Sequence, residues 1–105
     1  MPSAGLAHLV YFSLTDNSAG KTDELIAACK KYLDDHPGVT YFSVGRLNPD
    51  LSRPVNDRDY EVALHVVFTD RASHDAYQIA PRHSEFIEEQ KSNWKRVRVF
   101  DSDLA

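Results

Sequence analysis

Three side chains of this sequence, His8, Tyr77 and His83, are of types that can move a proton at a bound carbonyl compound. His83 is the third residue of a segment that Pro81 can open as a helix, because proline suits the first helical position. From His83, offsets of three, four and seven residues reach Phe86, Ile87 and Gln90, so the imidazole shares the apolar stripe of that helix. The opposite rotation would bury Glu85, Glu88 and Glu89. A neutral imidazole has its pKa near working pH and suits general-base catalysis. The Tyr77 hydroxyl, six residues earlier, could donate a hydrogen bond to a developing enolate oxygen. His8 could orient the substrate, and no cofactor is required for such a step.

These groups need walls and a scaffold. His8 shares strand parity with Val10 and Phe12 in "AHLVYFSL" (residues 7–14), a β-branched and aromatic run that reads as the first strand. A helix over 18–35 follows, with Leu25, Ile26, Cys29, Tyr32 and Leu33 at helical spacing, stopped by "HPG" at 36–38. "VTYFSVGRL" (39–47) is a second strand, and the polar 48–59 stretch with two prolines reads as a mobile connection. "DYEVALHVVFT" (59–69) alternates as a third strand, with Tyr60, Val62, Leu64, Val66 and Phe68 on one face. Asp70 is placed to cap a helix to about Ala80, Pro81 begins a second piece to about Lys91, and "WKRVRVFD" (94–101) closes as a fourth strand. Leu25, Ile26, Leu64, Phe86, Trp94, Val97 and Val99 then join Val10 and Phe12 as expected pocket walls.

Strand, helix, strand, strand, helix pair, strand is a split β-α-β order. It predicts an α+β fold with a four-stranded antiparallel sheet and helices on one face. Leu9, Tyr11, Ala63 and Val67 fall on the other face with nothing in the chain to cover them, which predicts a homodimer through the sheet faces. His65 belongs to that face, His36 and His74 read as solvent-facing, and Cys29 reads as core.

Composition narrows the function classes. A chain of 105 residues with 42% hydrophobic and 27% charged residues supports one globular domain over 1–105. The net charge of −4 gives no reason to expect nucleic acid, and Lys95, Arg96 and Arg98 read as the solvated side of a strand. The histidines lack metal-ligand spacing, so no metal is expected, and no phosphate-cradling glycine loop or nucleophile elbow is present. One cysteine, no basic residue ahead of the first apolar run and no run of about 20 apolar residues make the expected compartment the cytoplasm, with no membrane partner.

Together "AHLVYFSL", "HPGVTYFSVGR", "YEVALHVVFTD", "AYQIAPRHSEF" and "WKRVRVFD" resemble the stress-responsive α/β-barrel (Dabb) family, in order from His8 to Asp101. The resemblance implies a ferredoxin-like fold and a dimeric α/β barrel. In polyketide cyclases of the olivetolic acid type within that family, a pocket between sheet and helices performs an aldol condensation. The positions of their histidine base, tyrosine, first-strand histidine and pocket tryptophan match His83, Tyr77, His8 and Trp94. Ala80 departs from the family, which commonly has histidine before the proline. Two functions follow as expectations: a cofactor-free enzyme or binder acting on a hydrophobic carbonyl compound, or a non-catalytic dimeric stress or assembly domain with structural histidines.

Overall fold

Alternating apolar residues and two well-placed helix caps account for most of the architecture. The computed structural model describes residues 4–105. The elements run β1 (Leu6–Leu14), α1 (Ala19–Leu33), β2 (Val39–Arg46), β3 (Val62–Phe68), α2 (Arg71–Ile79), α3 (Pro81–Gln90), a 3₁₀ turn (Lys91–Asn93) and β4 (Trp94–Asp103). The strands form one antiparallel sheet in the order β2-β3-β1-β4, the ferredoxin-like arrangement. Strand β1 pairs with β3 through Leu6↔Phe68 to Phe12↔Val62 and with β4 through Leu6↔Asp103 to Leu14↔Trp94, with a register shift between Ser13 and Leu14.

The core lies between the sheet and the helices. Val10 and Phe12 of β1, Val62, Leu64, Val66 and Phe68 of β3, Leu25, Cys29 and Leu33 of α1, Tyr77 of α2 and Phe86 of α3 are all buried within it. Ser18 caps α1, its side chain accepting from Lys21 N, and Asp70 caps α2 by accepting from Ser73 N at 2.8 Å. Ala80 ends α2 and begins α3 in an extended conformation, φ −65° and ψ 142°. That is the conformation forced on a residue preceding proline, so the bend between the two helices is written in the Ala80–Pro81 pair.

Two expectations need correction. Tyr60 does not continue the inward parity of β3. The strand begins at Val62, and Tyr60 packs edge-on against Tyr11 on the open face, with ring centroids 5.0 Å apart. The 47–61 connection is tethered: Arg98 pairs with Asp57, Arg96 reaches Asp59 at 3.3 Å, and Arg58 donates to the Pro49 carbonyl at 2.9 Å. Two of the three basic residues of β4 are therefore engaged with the chain's own acids.

At the α1–β2 turn, Gly38 has φ +83°, and a Cβ there would overlap the Ser73 side chain. Both the left-handed backbone and the close approach need glycine. Gly38→Ala should lose about 1–3 kcal/mol of stability, read as a lower urea midpoint with an unchanged slope.

Candidate active site

His8 projects from the helix face of β1, where it is 5% exposed, and lies opposite Asp101 of β4 in the strand register. Its Nδ1–H donates to Asp101 Oδ1 at 2.5 Å. An ionised carboxylate only accepts, so the neutral ring keeps its proton on Nδ1 and presents a bare Nε2. Tyr77, 2% exposed, comes from α2, and His83, half-buried, from the first turn of α3. The bend at Ala80–Pro81 brings these two rings edge to face, 4.8 Å between centroids, with the His8 ring 6.0 Å from Tyr77.

The three residues line one cavity of about 200 Å³. Val10, Phe12, Leu33, Leu64, Phe86, Ile87, Trp94, Val97 and Val99 supply its apolar walls, and Gln78 adds an amide. Leu25 and Ile26, expected among these walls, do not line it. Leu25 is 1% exposed inside the core and Ile26 packs against it, whereas Leu33, two turns further along α1, reaches the cavity. The Tyr77 hydroxyl, His83 Nδ1 and Trp94 Nε1 are all sealed from solvent with no hydrogen-bond partner in the protein. Buried polar atoms are nearly always partnered, so three orphans in the walls of one cavity need an explanation.

Burial, and then the neighbouring His8, His36 and His74 imidazoles, hold the His83 pKa below its ordinary 6.5. The ring is therefore neutral at pH 7 and can accept a proton. Burial pushes the Tyr77 hydroxyl well above 10, so it stays a donor. Cys29, fully buried, is pushed up to about 12 by desolvation, which leaves the thiol inert.

Two histidines are not where the sequence suggests. His36 is buried, 5.0 Å from the Tyr77 ring, and its Nε2–H donates to the Tyr32 carbonyl at 2.7 Å. Asp35, at φ 61°, turns the chain back under α1 and carries His36 inward. His74 is half-buried, edge-on to His8 at 5.2 Å and to Phe68 at 5.6 Å. It sits three residues before Tyr77 and four before Gln78 on one face of α2, a spacing that was available in the sequence. His65 lies on the open face, paired with Ser43 at 2.9 Å.

That open face carries a larger hollow, about 420 Å³, lined by Leu9, Tyr11, Asp57, Tyr60, Arg98 and Phe100. It is a depression on a largely apolar sheet surface, with Phe100 53% exposed. The smaller cavity is lined by the residues that carry the orphan groups and is the better candidate for chemistry.

The family model of the stress responsive A/B barrel domain, Dabb, matches residues 6–104. The chain belongs to the Dabb family. No curated protein sequence matches this Dabb chain. Among solved structures it is similar to a Dabb family protein with a ferredoxin-like fold from Mesorhizobium loti, at 24% identity and TM-score 0.78, covering 96% of this chain and 98% of that one. A dimeric ferredoxin-like protein of unknown function from Thermobifida fusca matches at 19% and 0.79, covering 95% and 91%. The hydroxynitrile lyase of Passiflora edulis matches at 20% and 0.77, covering 99% and 96%. At these identities the likeness is one of fold. Among the described residues, no helix of the Dabb chain is long and apolar enough to cross a membrane.

Proposed function

We propose that this Dabb protein is a homodimer whose sheet–helix cavity binds a small hydrophobic carbonyl compound and removes a proton beside the carbonyl. The carrying observation is that three residues lining one cavity, Tyr77, His83 and Trp94, each carry a buried polar atom with no protein partner. Neutral His83 takes the α-proton, and the electron pair passes to the carbonyl oxygen. The Tyr77 hydroxyl donates to that oxygen, strengthening its hydrogen bond as negative charge develops. His8, its Nδ1–H engaged with Asp101, offers Nε2 to a substrate hydroxyl. A cavity near 200 Å³ is below the roughly 300–1,000 Å³ of sites for drug-sized ligands, which favours a small substrate. The Passiflora edulis protein of the same fold is named for hydroxynitriles, which are carbonyl adducts, and this agrees with carbonyl chemistry.

The test is exchange of α-protons for deuterium in a panel of short β-keto thioesters and aryl ketones, followed by NMR. Tyr77→Phe should slow exchange about 10²–10³-fold. Its melting temperature should hold or rise, since the hydroxyl it removes has no protein partner. A destabilised Tyr77→Phe with no effect on exchange would make the ring a structural group.

The homodimer reading rests on the open sheet face, where Leu9, Tyr11 and Val67 are partly exposed and Phe100 is exposed, although Ala63, expected among them, is buried, and on similar structures described as dimeric. Phe100→Asp should yield a monomer by light scattering. A wild-type monomer at micromolar concentration refutes the pairing.

A further inference from the structure

The strand register and the first turns of α2 gather a second group of side chains that the carbonyl chemistry does not use as a unit. His8 comes from β1, Asp101 from its partner position on β4, and His74 from α2. One donor atom from each lies within 4.8 Å of the other two, and among the described residues no other such group occurs. We propose that His8, His74 and Asp101 form a binding site for a divalent transition-metal ion.

The donor set fixes the class of ion. Two imidazoles and a carboxylate suit zinc, cobalt, nickel, copper or ferrous iron; magnesium and calcium prefer oxygen donors throughout. Three protein ligands leave positions open for water or an added ligand. Metal–ligand bonds of about 2.0–2.2 Å put donors about 3.3–3.5 Å apart in a tetrahedral site. His8 would ligate through Nδ1, the ion taking the place of the proton it gives to Asp101 Oδ1 at 2.5 Å, and Asp101, whose side chain is 45% exposed, has room to move out to the ligand spacing.

Supporting contacts orient the donors. Asp75 Oδ1 accepts from His74 Nδ1–H at 3.0 Å, which leaves Nε2 as the bare nitrogen. A carboxylate behind a ligating histidine is the usual outer-shell arrangement of metal sites. The Gln78 side-chain amide lies 3.5 Å from Nε2 of both His8 and His74, where turning the amide would let its oxygen accept from the Nε2–H that His8 carries once Nδ1 holds the ion. Arg71, the nearby cation, is paired with Asp75 at 2.8 Å, and Asp103 adds a carboxylate to the same surface hollow, whose walls include His74 and Asp101. An ion can therefore enter from the surface, while His8 also forms part of the interior cavity wall. The inference goes beyond the carbonyl reading and shares only His8 with it.

The test is titration of untagged, chelator-stripped protein with Co(II), followed by visible absorption, and with Zn(II) by competition. One equivalent per chain should bind, with bands of four- or five-coordinate cobalt. His74→Ala and Asp101→Ala should each weaken binding about 100-fold or more, and Asp75→Asn about tenfold. His83→Ala should bind cobalt like wild type while losing α-proton exchange, so the two readings can fail separately. Circular dichroism checks that each variant folds, and Asp75→Asn and Asp101→Ala alter exposed side chains. No saturable one-equivalent binding to wild type overturns the inference. So does wild-type affinity in His74→Ala and Asp101→Ala, which would put the ion on other histidines.

Discussion

His83→Ala is expected to reduce α-proton exchange by about 10²–10⁴-fold, the range attributed to a positioned general base. Added imidazole should restore part of the rate, because the substitution leaves a ring-sized space beside Tyr77. The pH dependence gives a second signature. Burial and the surrounding imidazoles of His8, His36 and His74 depress the His83 pKa, so the wild-type rate should hold as pH falls through 6.5 and decline only below it. Stability follows the same group with a definite sign. Below pH 6.5 the unfolded chain takes up a proton that the folded chain still refuses, so the unfolded state binds more protons and stability falls with pH. The loss accumulates from about 6.5 down to the lower folded pKa and then levels off. His83→Ala removes this contribution and should lose less stability than wild type between pH 7 and pH 5, measured by urea unfolding at each pH. Equal losses in the two proteins would mean that the ring is not held neutral by its surroundings.

Phe68→Ala should be the most damaging single truncation. Its side chain is fully buried at the end of β3 and packs edge-on against Tyr77 at 5.1 Å and His74 at 5.6 Å. Removing a buried phenylalanine ring costs about 3–5 kcal/mol, a fifth or more of the stability of a typical small domain at about 5–15 kcal/mol. At about 4–8 °C per kcal/mol for a domain of about this size, the melting temperature should fall by roughly 12 °C or more. The damage should also reach the site, because Tyr77 loses the wall that fixes its ring. Val99→Ala, at a side chain 49% exposed on β4, should by contrast stay within about 0.5 kcal/mol. A loss below about 1 kcal/mol for Phe68→Ala would contradict the packing described for this core.

What the sequence reveals of this protein depends on whether the information is local. Period-two alternation placed Val62, Leu64, Val66 and Phe68 on the core face, and the Ala80–Pro81 pair marked the break between α2 and α3. Alternation failed at Tyr60 because parity holds only while the chain stays in a strand. Before Val62 the Glu61 carboxylate accepts from Leu14 N and the backbone departs from regular pairing. His36 was misplaced because its direction follows from the left-handed turn at Asp35, which no apolar pattern announces. His74 could have been found from its spacing to Tyr77 and Gln78. Its convergence with His8 and Asp101 could not, since that depends on strand register and on how α2 crosses the sheet. The orphan state of Trp94 Nε1 and His83 Nδ1 is likewise a property of three-dimensional packing.

The basic side chains of β4 carry one more consequence. Strands β2 and β4 lie at the two edges of the sheet, and β4 is ten residues long with Val97, Val99 and Phe100 partly exposed. A long apolar edge with unpaired backbone groups is a template for aggregation through added strands. Lys95 interrupts the apolar residues along that edge, and Arg96 and Arg98, paired with Asp59 and Asp57, hold the polar 47–61 connection to the strand. What resembles, in composition alone, a footprint for polyanions is thus one lysine and two internally paired arginines, a polar dressing of an otherwise apolar edge. On the open face the same pairing sets the Arg98–Asp57 ion pair beside Leu9, Tyr11 and Phe100, so any surface that covers this face meets a neutralised pair within an apolar patch.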